Sequence, residues 1–387
     1  MAIQPANRIQ KVEEYYFSVK LKEIDKLRQE GKDILNLGIG NPDLPPAPEV
    51  LEELNRAAKQ SNNHGYQSYI GIPELRSAFS SWYKKYFKVD LDPRSEILPL
   101  IGSKEGIMHI SMAFLNSGDE VLLPDPGYPT YQSVTNLVGA IPVHYLLDPE
   151  KHYQPDLDKL EKRDLSHVKM MWVNYPNMPT GTRASIDLFE RLVAFGKRHD
   201  IIICNDNPYS FIMNKEQLSI LKVNGAKDIC IELNSLSKSQ NMAGWRIGMV
   251  ASNSEFINYI LRVKSNMDSG MFKPLQLAAV KALSLPDAWY EKVNDEYSRR
   301  RTVVFEIMDM LNCYYDKDQV GMFVWAKVPD SVGTGRVLSD DVLYNADVFI
   351  TPGYIFGERW DSHIRISLCT NLENLNTAKE RIKKIIK

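Results

Sequence analysis

Between roughly residue 50 and residue 285 the chain alternates short, mostly apolar runs with amphipathic stretches. The runs lie at about residues 96–101, 120–123, 168–174, 201–206, 231–235 and 246–251. They are apolar at successive positions rather than at every second one. A strand of that kind is covered on both faces, and helices between such strands return the chain to start the next one in the same direction. The pattern predicts an α/β fold with a mainly parallel sheet sandwiched by helices. In such sheets ligands bind beyond the carboxyl ends of the strands. The residues just after each run are therefore the ones to read for chemistry.

Helices are predicted at roughly residues 15–30, 49–59, 72–87 and 186–199, and another opens at Lys104 with Ile107, Ile110 and Phe114 on one face. A short strand near residues 34–40 breaks into the proline-rich loop NPDLPPAPEV. After Pro286 a long charged helix covers roughly residues 287–311, and strands are expected near residues 322–328 and 363–367. Its Lys/Arg-rich part, 297–304, reads as a solvated face. The length of 387 residues exceeds what one core supports. The expected division is a large domain over 46–285 and a smaller α+β domain over 286–387, completed by the N-terminal segment 1–45.

A net charge of −2 gives no reason to expect nucleic acid or an anionic membrane as partner. No apolar run approaches membrane-spanning length, and MAIQPANRIQKVEEYY lacks the apolar core of a signal peptide. Cys204, Cys230, Cys313 and Cys369 are widely spaced, with neither a CxxC pair nor neighbouring histidines. They read as reduced, buried thiols of a cytoplasmic protein, and no metal site is expected.

Four strand ends carry the candidate chemistry. Gly102-Ser103 opens the helix at Lys104, and free N–H groups at a helix start favour phosphate. Asp206 closes IIICND, where a carboxylate can keep a heterocyclic nitrogen protonated. In SLSKSQNMAGWRIG, residues 235–248, Lys238 lies in a turn flanked by serines, with Arg246 nearby. Desolvation and a neighbouring cation would make such a lysine a nucleophile towards carbonyls. YPNMPTG, residues 175–181, forms a rigid turn in which a cis bond before Pro179 is open. A phosphate cradle, a ring-nitrogen carboxylate, a reactive lysine and a phosphate-pairing arginine are what pyridoxal phosphate needs. The signatures of dinucleotide, P-loop and HExxH sites are absent.

These motifs, with GSKEGI at 102–107, PDPGYPTY at 124–131 and HIRISL at 363–368, resemble the class I/II pyridoxal-phosphate aminotransferases of fold type I. The resemblance runs from LNLGIGNPD to HIRISL. LPLIGSKEGI and LPDPGYPTY look most like the LL-diaminopimelate aminotransferase-like group, which also holds enzymes for aspartate and alanine. The resemblance implies that Lys238 forms the Schiff base, Asp206 pairs with the ring nitrogen and Tyr209 with the ring hydroxyl, and Tyr128 stacks on the ring. Lys238, Asp206 and Tyr128 are thus the expected catalytic residues. It places Ser103, Lys104, Ser235 and Arg246 around the phosphate, and Tyr66 on the phosphate of a neighbouring subunit in a homodimer. Arg365 is implied as the clamp for the substrate α-carboxylate, with Ile39 and Gly40 closing over it. Where the family has asparagine before Pro-Thr-Gly, this chain has Met178. Asn177, or Asn174, is expected to take that cofactor contact, the alternative being that Tyr209 alone holds the ring hydroxyl.

The implied reaction moves the amino group of an L-amino acid to a 2-oxo acid, with 2-oxoglutarate expected as acceptor, in amino-acid biosynthesis. The alternative on the same scaffold is β-elimination at a carbon–sulfur bond. A cofactor-binding regulator would be expected to carry an appended DNA-binding domain, and the roughly 40 residues before the core show no helix-turn-helix and no basic surplus; an inactive paralogue is opposed by Lys238, Asp206, Arg246 and Arg365 together. Tyr15, Tyr16, Tyr66, Tyr69 and Tyr354 are candidates for the side-chain pocket. Trp245 is expected beneath the lysine turn, and His64 is the only histidine near the site.

Overall fold

A computed structural model of the protein describes residues 3–12, 14 and 16–386. Its main sheet has eight strands. From one edge they run Ile97–Leu100, Gly248–Ala251, Cys230–Ser235, Ile202–Asp206, Val168–Val173, Glu120–Asp125, Ile141–Asp148 and Gln154–Pro155. Cys230–Ser235 through Ile141–Asp148 pair in parallel. Gly248–Ala251 runs antiparallel to both its neighbours. The predicted runs recur as strands within a residue or two. Ile141–Asp148 was not predicted, because its burial is confined to a few positions towards its end and leaves no continuous apolar run.

One consequence positions the site. Where the parallel strands end, at Val173, Asp206 and Ser235, the antiparallel strand begins, with Gly248 opposite Ser235. Leu100 pairs with Gly248 from the other side. The turn between Ser235 and Gly248, which holds Lys238 and Arg246, therefore lies at the same edge as Asp206 and the helix Ser103–Phe114.

Apolar side chains on both faces of this sheet explain the unbroken apolar strands. One cluster packs Met171, Val173, Ile203 and Met249 beneath the helices Pro73–Phe87, Ile186–His199 and Lys273–Leu283. The other packs Met170, Trp172, Cys204 and Val250 beneath Ser103–Phe114 and Ser254–Lys264. A four-stranded antiparallel sheet, Tyr314–Tyr315, Phe323–Lys327, His363–Ser367 and Thr351–Pro352, has its own cluster with the helices Asp287–Met310, Gly335–Ala346 and Leu372–Ile385. Phe17 and Leu37 of the N-terminal segment join that cluster, and Leu35–Asn36 pairs in parallel with Val348–Phe349.

The expectation of a solvated face at residues 297–304 is corrected. Tyr297, Arg300 and Val304 are buried. Arg300 Nη1 lies 2.6 Å from Asp43 Oδ1, its Nε lies 2.8 Å from Glu296, and Nη1 also donates to the Leu368 carbonyl. Charge in a sequence marks solvent only where no carboxylate is folded against it. Among the described residues no helix is long and apolar enough to cross a membrane.

Candidate active site

A cavity of about 610 Å³ opens at the carboxyl edge of the main sheet. Its lining includes Ile39, Gly40, Ser103, Lys104, Tyr128, Asp206, Tyr209, Ser235, Lys238, Arg246 and Arg365. Residues far apart in the sequence thus meet in one space.

At one end the helix Ser103–Phe114 begins behind Gly102, whose φ is +81° and which supplies no side-chain cap. A Cβ on Gly102 would lie 2.2 Å from Arg246 Nη2, so only glycine lets the guanidinium lie across the helix start. A Cβ on Gly248 would lie 2.8 Å from the Ser103 nitrogen. Arg246 itself is left-handed, at φ +57°, with Nη1 donating to the Ala243 carbonyl. Burial, then the charge of Arg246, holds Lys104 below the usual lysine range. Two cations and a helix start directed at one point form a cradle for a multiply charged anion.

In the centre Asp206 is 6% exposed. Its Oδ2 accepts from Tyr131 Oη at 3.0 Å, while Oδ1 is buried with no partner among the described residues. Burial pushes this carboxyl up to about 6. A buried carboxylate oxygen left open calls for a cationic donor. Lys238 Nζ donates to the Gly40 carbonyl at 2.7 Å. Burial lowers the affinity of Lys238 for its proton, and Arg365 and Arg246 act in the same direction. The open oxygen of Asp206, the glycine-shaped cradle and the desolvated amine fit the ring nitrogen, phosphate and aldehyde of pyridoxal phosphate. Tyr128 stands edge-on to Tyr131, with centroids 5.6 Å apart. Burial raises the Tyr209 hydroxyl, so it stays a donor.

At the far end Arg365 is buried on His363–Ser367. Nη2 donates to the Gly38 carbonyl at 2.8 Å, and Nη1 lies 3.2 Å from Met178 Sδ. Its guanidinium carbon is 3.9 Å from the Phe323 ring centroid, 4.6 Å from that of Phe356 and 5.5 Å from that of Phe17.

Two predicted residues lie elsewhere. Asn177 does not line the cavity: its Oδ1 accepts from the nitrogen and hydroxyl of Thr180 and closes its own turn. Asn174 lines the cavity instead, giving Nδ2 to the Asp206 carbonyl and taking the Met178 nitrogen on Oδ1. The Met178–Pro179 bond is cis, as are those before Pro126 and Pro176. Tyr66 is 92% exposed, outside this cavity. His64 is exposed and donates to, or accepts at, no cavity residue among those described; its Nε2 lies 3.0 Å from the Ala58 carbonyl. Trp245 is half-buried against the cluster beneath the lysine turn.

None of the tyrosines expected to line the side-chain pocket lines this cavity among the described residues, and Tyr15 lies outside them. Tyr16 and Tyr354 line an adjoining cavity of about 430 Å³. The residues that reading the sequence missed are Tyr131, Phe17, Phe323 and Phe356. Tyr131 lies in the first turn of the helix Pro129–Leu137, which Tyr128 precedes as its extended N-cap. The three phenylalanines carry no signal distinct from core.

A family model described as aminotransferase class I and II matches residues 32–382. The LL-diaminopimelate aminotransferase of Aquifex aeolicus is 39% identical over 386 residues, 98% of each chain. Apo-BacF from Bacillus subtilis superposes with a TM-score of 0.95 at 33% identity, over 100% of this chain and 99% of that one. An aspartate aminotransferase from Thermus thermophilus bound to maleate superposes with a TM-score of 0.91 at 26% identity, over 99% of this chain and 100% of that one. These relatives favour amino-group transfer over carbon–sulfur elimination. With the geometry above, they establish that this chain belongs to the class I and II aminotransferases, as a fold type I, pyridoxal-phosphate-dependent amino-acid aminotransferase.

Proposed function

We propose that this cavity moves the amino group of an L-amino acid to a 2-oxo acid, 2-oxoglutarate being the acceptor, with the residues in the following roles. The observation that carries the reading is the meeting of a half-buried amine, a buried carboxylate with one open oxygen and a buried arginine in one cavity. Pyridoxal phosphate, when bound, supplies a carbonyl to take the amino group and a ring to take up the electron pair left at the substrate α-carbon.

Ser103, Lys104, Ser235 and Arg246 hold the phosphate. Asp206 Oδ1 holds a proton at the ring nitrogen, and Tyr131 fixes the carboxylate's other oxygen. Tyr209 donates to the ring hydroxyl, and Tyr128 covers one ring face. Arg365 binds the substrate α-carboxylate. A thioether is a weak acceptor, so a carboxylate competes well for the Nη1 now on Met178. Ile39 and Gly40 close the wall beside it. Lys238 Nζ, desolvated towards its neutral form, takes the α-proton of the donor and in the return half returns a proton to the α-carbon of the product. Arg365 and Asp206 between them fix the α-C–H bond against the ring.

The division into a large domain over 46–285 and a small one over 286–387 with the N-terminal segment is supported by the separate clusters around the two sheets. A homodimer is supported by exposed Tyr66, Tyr69, Ile101, Met112, Met267 and Phe272. Their segments touch one another: Gly270 lies against Gln67, and Asp268 reaches Glu105 and His109. Four unbridged cysteines suit the cytoplasm.

Lys238→Ala tests the central role. The variant is expected to bind pyridoxal phosphate through its phosphate, without the pH-dependent visible absorbance of a lysine-linked cofactor, and to lose transamination by more than about a thousandfold. Retained lysine-linked absorbance would sink the assignment.

A further inference from the structure

Among the described residues, seven charged side chains line the cavity: Lys22, Asp25, Lys104, Asp206, Lys238, Arg246 and Arg365. The last five serve the cofactor and the substrate's α-carboxylate in the proposed reaction. Lys22 and Asp25 stand at the rim on the helix Tyr16–Gln29 and are opposite in sign. Lys22 is 2.5 Å from Glu14, and Asp25 is 3.6 Å from Arg28. Both are mainly solvated. Among the described residues of this chain, no further cation inside the cavity faces a second substrate carboxylate, and no further carboxylate faces a side-chain ammonium.

What surrounds the clamp is apolar. Phe17, Phe323 and Phe356 pack round the Arg365 guanidinium at 3.9–5.5 Å, and Leu21 continues this wall towards the rim. Met178, 6% exposed, presents its thioether beside the same arginine. A group attached to the α-carbon of an amino acid held on Arg365 leaves the clamp among rings and methyls. An unpartnered ion is strongly disfavoured there, whereas an apolar group gains by burial. Thioether and aromatic walls also adapt to bulky shapes.

We propose that the preferred amino donor carries a large uncharged side chain, aromatic or branched aliphatic, seated against Phe17, Leu21, Phe323 and Phe356. This rests on the aminotransferase reading and on Arg365 as its α-carboxylate clamp. In this proposal the distal carboxylate of the acceptor 2-oxoglutarate stays hydrated at the rim, where Lys22 stands. Each donor consumes one water and leaves as its 2-oxo acid, its α-carbon oxidised by two electrons. The amino group and those electrons stay on the protein-bound pyridoxal phosphate until the acceptor removes them.

The test is the donor half-reaction of the pyridoxal-phosphate-loaded protein, followed by its absorbance without acceptor. L-Phenylalanine, L-leucine, L-glutamate, L-aspartate and LL-diaminopimelate are compared by the second-order rate of conversion. Phenylalanine or leucine is expected to exceed aspartate by at least about a hundredfold. The highest rate with aspartate or LL-diaminopimelate overturns the inference and leaves the aminotransferase reading standing. Absence of conversion by every amino acid overturns the reading itself and this inference with it. Leu21→Arg places a cation at the partly exposed edge of the wall and should shift the phenylalanine-to-aspartate ratio towards aspartate by about tenfold or more. An unchanged ratio in the folded, cofactor-binding variant overturns the placement of the side chain.

Discussion

Asp206 shows how burial, rather than identity, sets what a residue does. The carboxyl titrates near 6 in the fold against an ordinary 3.8, because burial disfavours its charge. The folded state therefore holds this proton more tightly than the unfolded chain. The resulting stability is present in full below about pH 4 and is lost as pH rises through 6. The difference is worth roughly 3 kcal/mol at most, at 1.36 kcal/mol per pH unit. Cofactor-free Asp206→Asn is thus expected to be more stable than the parent at pH 8, with the gap closing towards pH 4. Denaturant unfolding across that range checks this, and equal stability at pH 8 would refute it. The same variant should bind the cofactor more weakly, since a neutral amide no longer favours a protonated ring nitrogen. Asp206 was legible as a carboxylate after an apolar strand. Its partner Tyr131 was not, because a hydrogen bond between positions 75 apart leaves no local trace.

At the scale of elements, the cradle depends on one backbone conformation. Gly102 sits at φ +81° and ψ 154°, a region essentially confined to glycine where a side chain costs on the order of 1–3 kcal/mol, and the Arg246 guanidinium occupies the space a Cβ would take. Gly102→Ala should lower stability by about 1 kcal/mol and weaken pyridoxal phosphate binding about tenfold or more, by displacing Arg246 from the helix start. Absorbance titration with cofactor and thermal unfolding measure the two effects separately. A variant that binds cofactor normally would show that Arg246 reaches the phosphate by another route. Strands with continuous apolar runs and the helix Ile186–His199 were readable from pattern, since burial on both faces or on one stripe is written at every position. Ile141–Asp148 was not, because most of its side chains are only partly buried. The helix Asp287–Met310 was readable in extent but not in orientation. Arg300 is buried because Asp43, more than 200 residues away in sequence, meets it.

For the whole molecule, Tyr66 decides whether one chain suffices. Its ring is 92% exposed amid other exposed apolar side chains, and it touches no part of its own cavity. A second copy is expected to cover this surface and place Tyr66 on the partner's phosphate. Sedimentation should give a dimer. Tyr66→Phe should stay dimeric and lose about tenfold in cofactor affinity, the worth of one hydrogen bond to a charged group. A fully active monomer would contradict this.

The order of residues along the chain was enough to determine the α/β class and to mark Lys238, Asp206 and Arg246 as candidates at the strand ends, and the family resemblance added Arg365. Those features rest on local signals: apolar runs, turn residues and short motifs. Tertiary structure alone decided which side chains face each other. It turned Asn177 into its own turn, brought Tyr131 to Asp206 and closed Phe17, Phe323 and Phe356 round Arg365. The physical reason is that substrate selection depends on walls built from distant segments, and an aromatic residue in such a wall has the same sequence signature as one in the core.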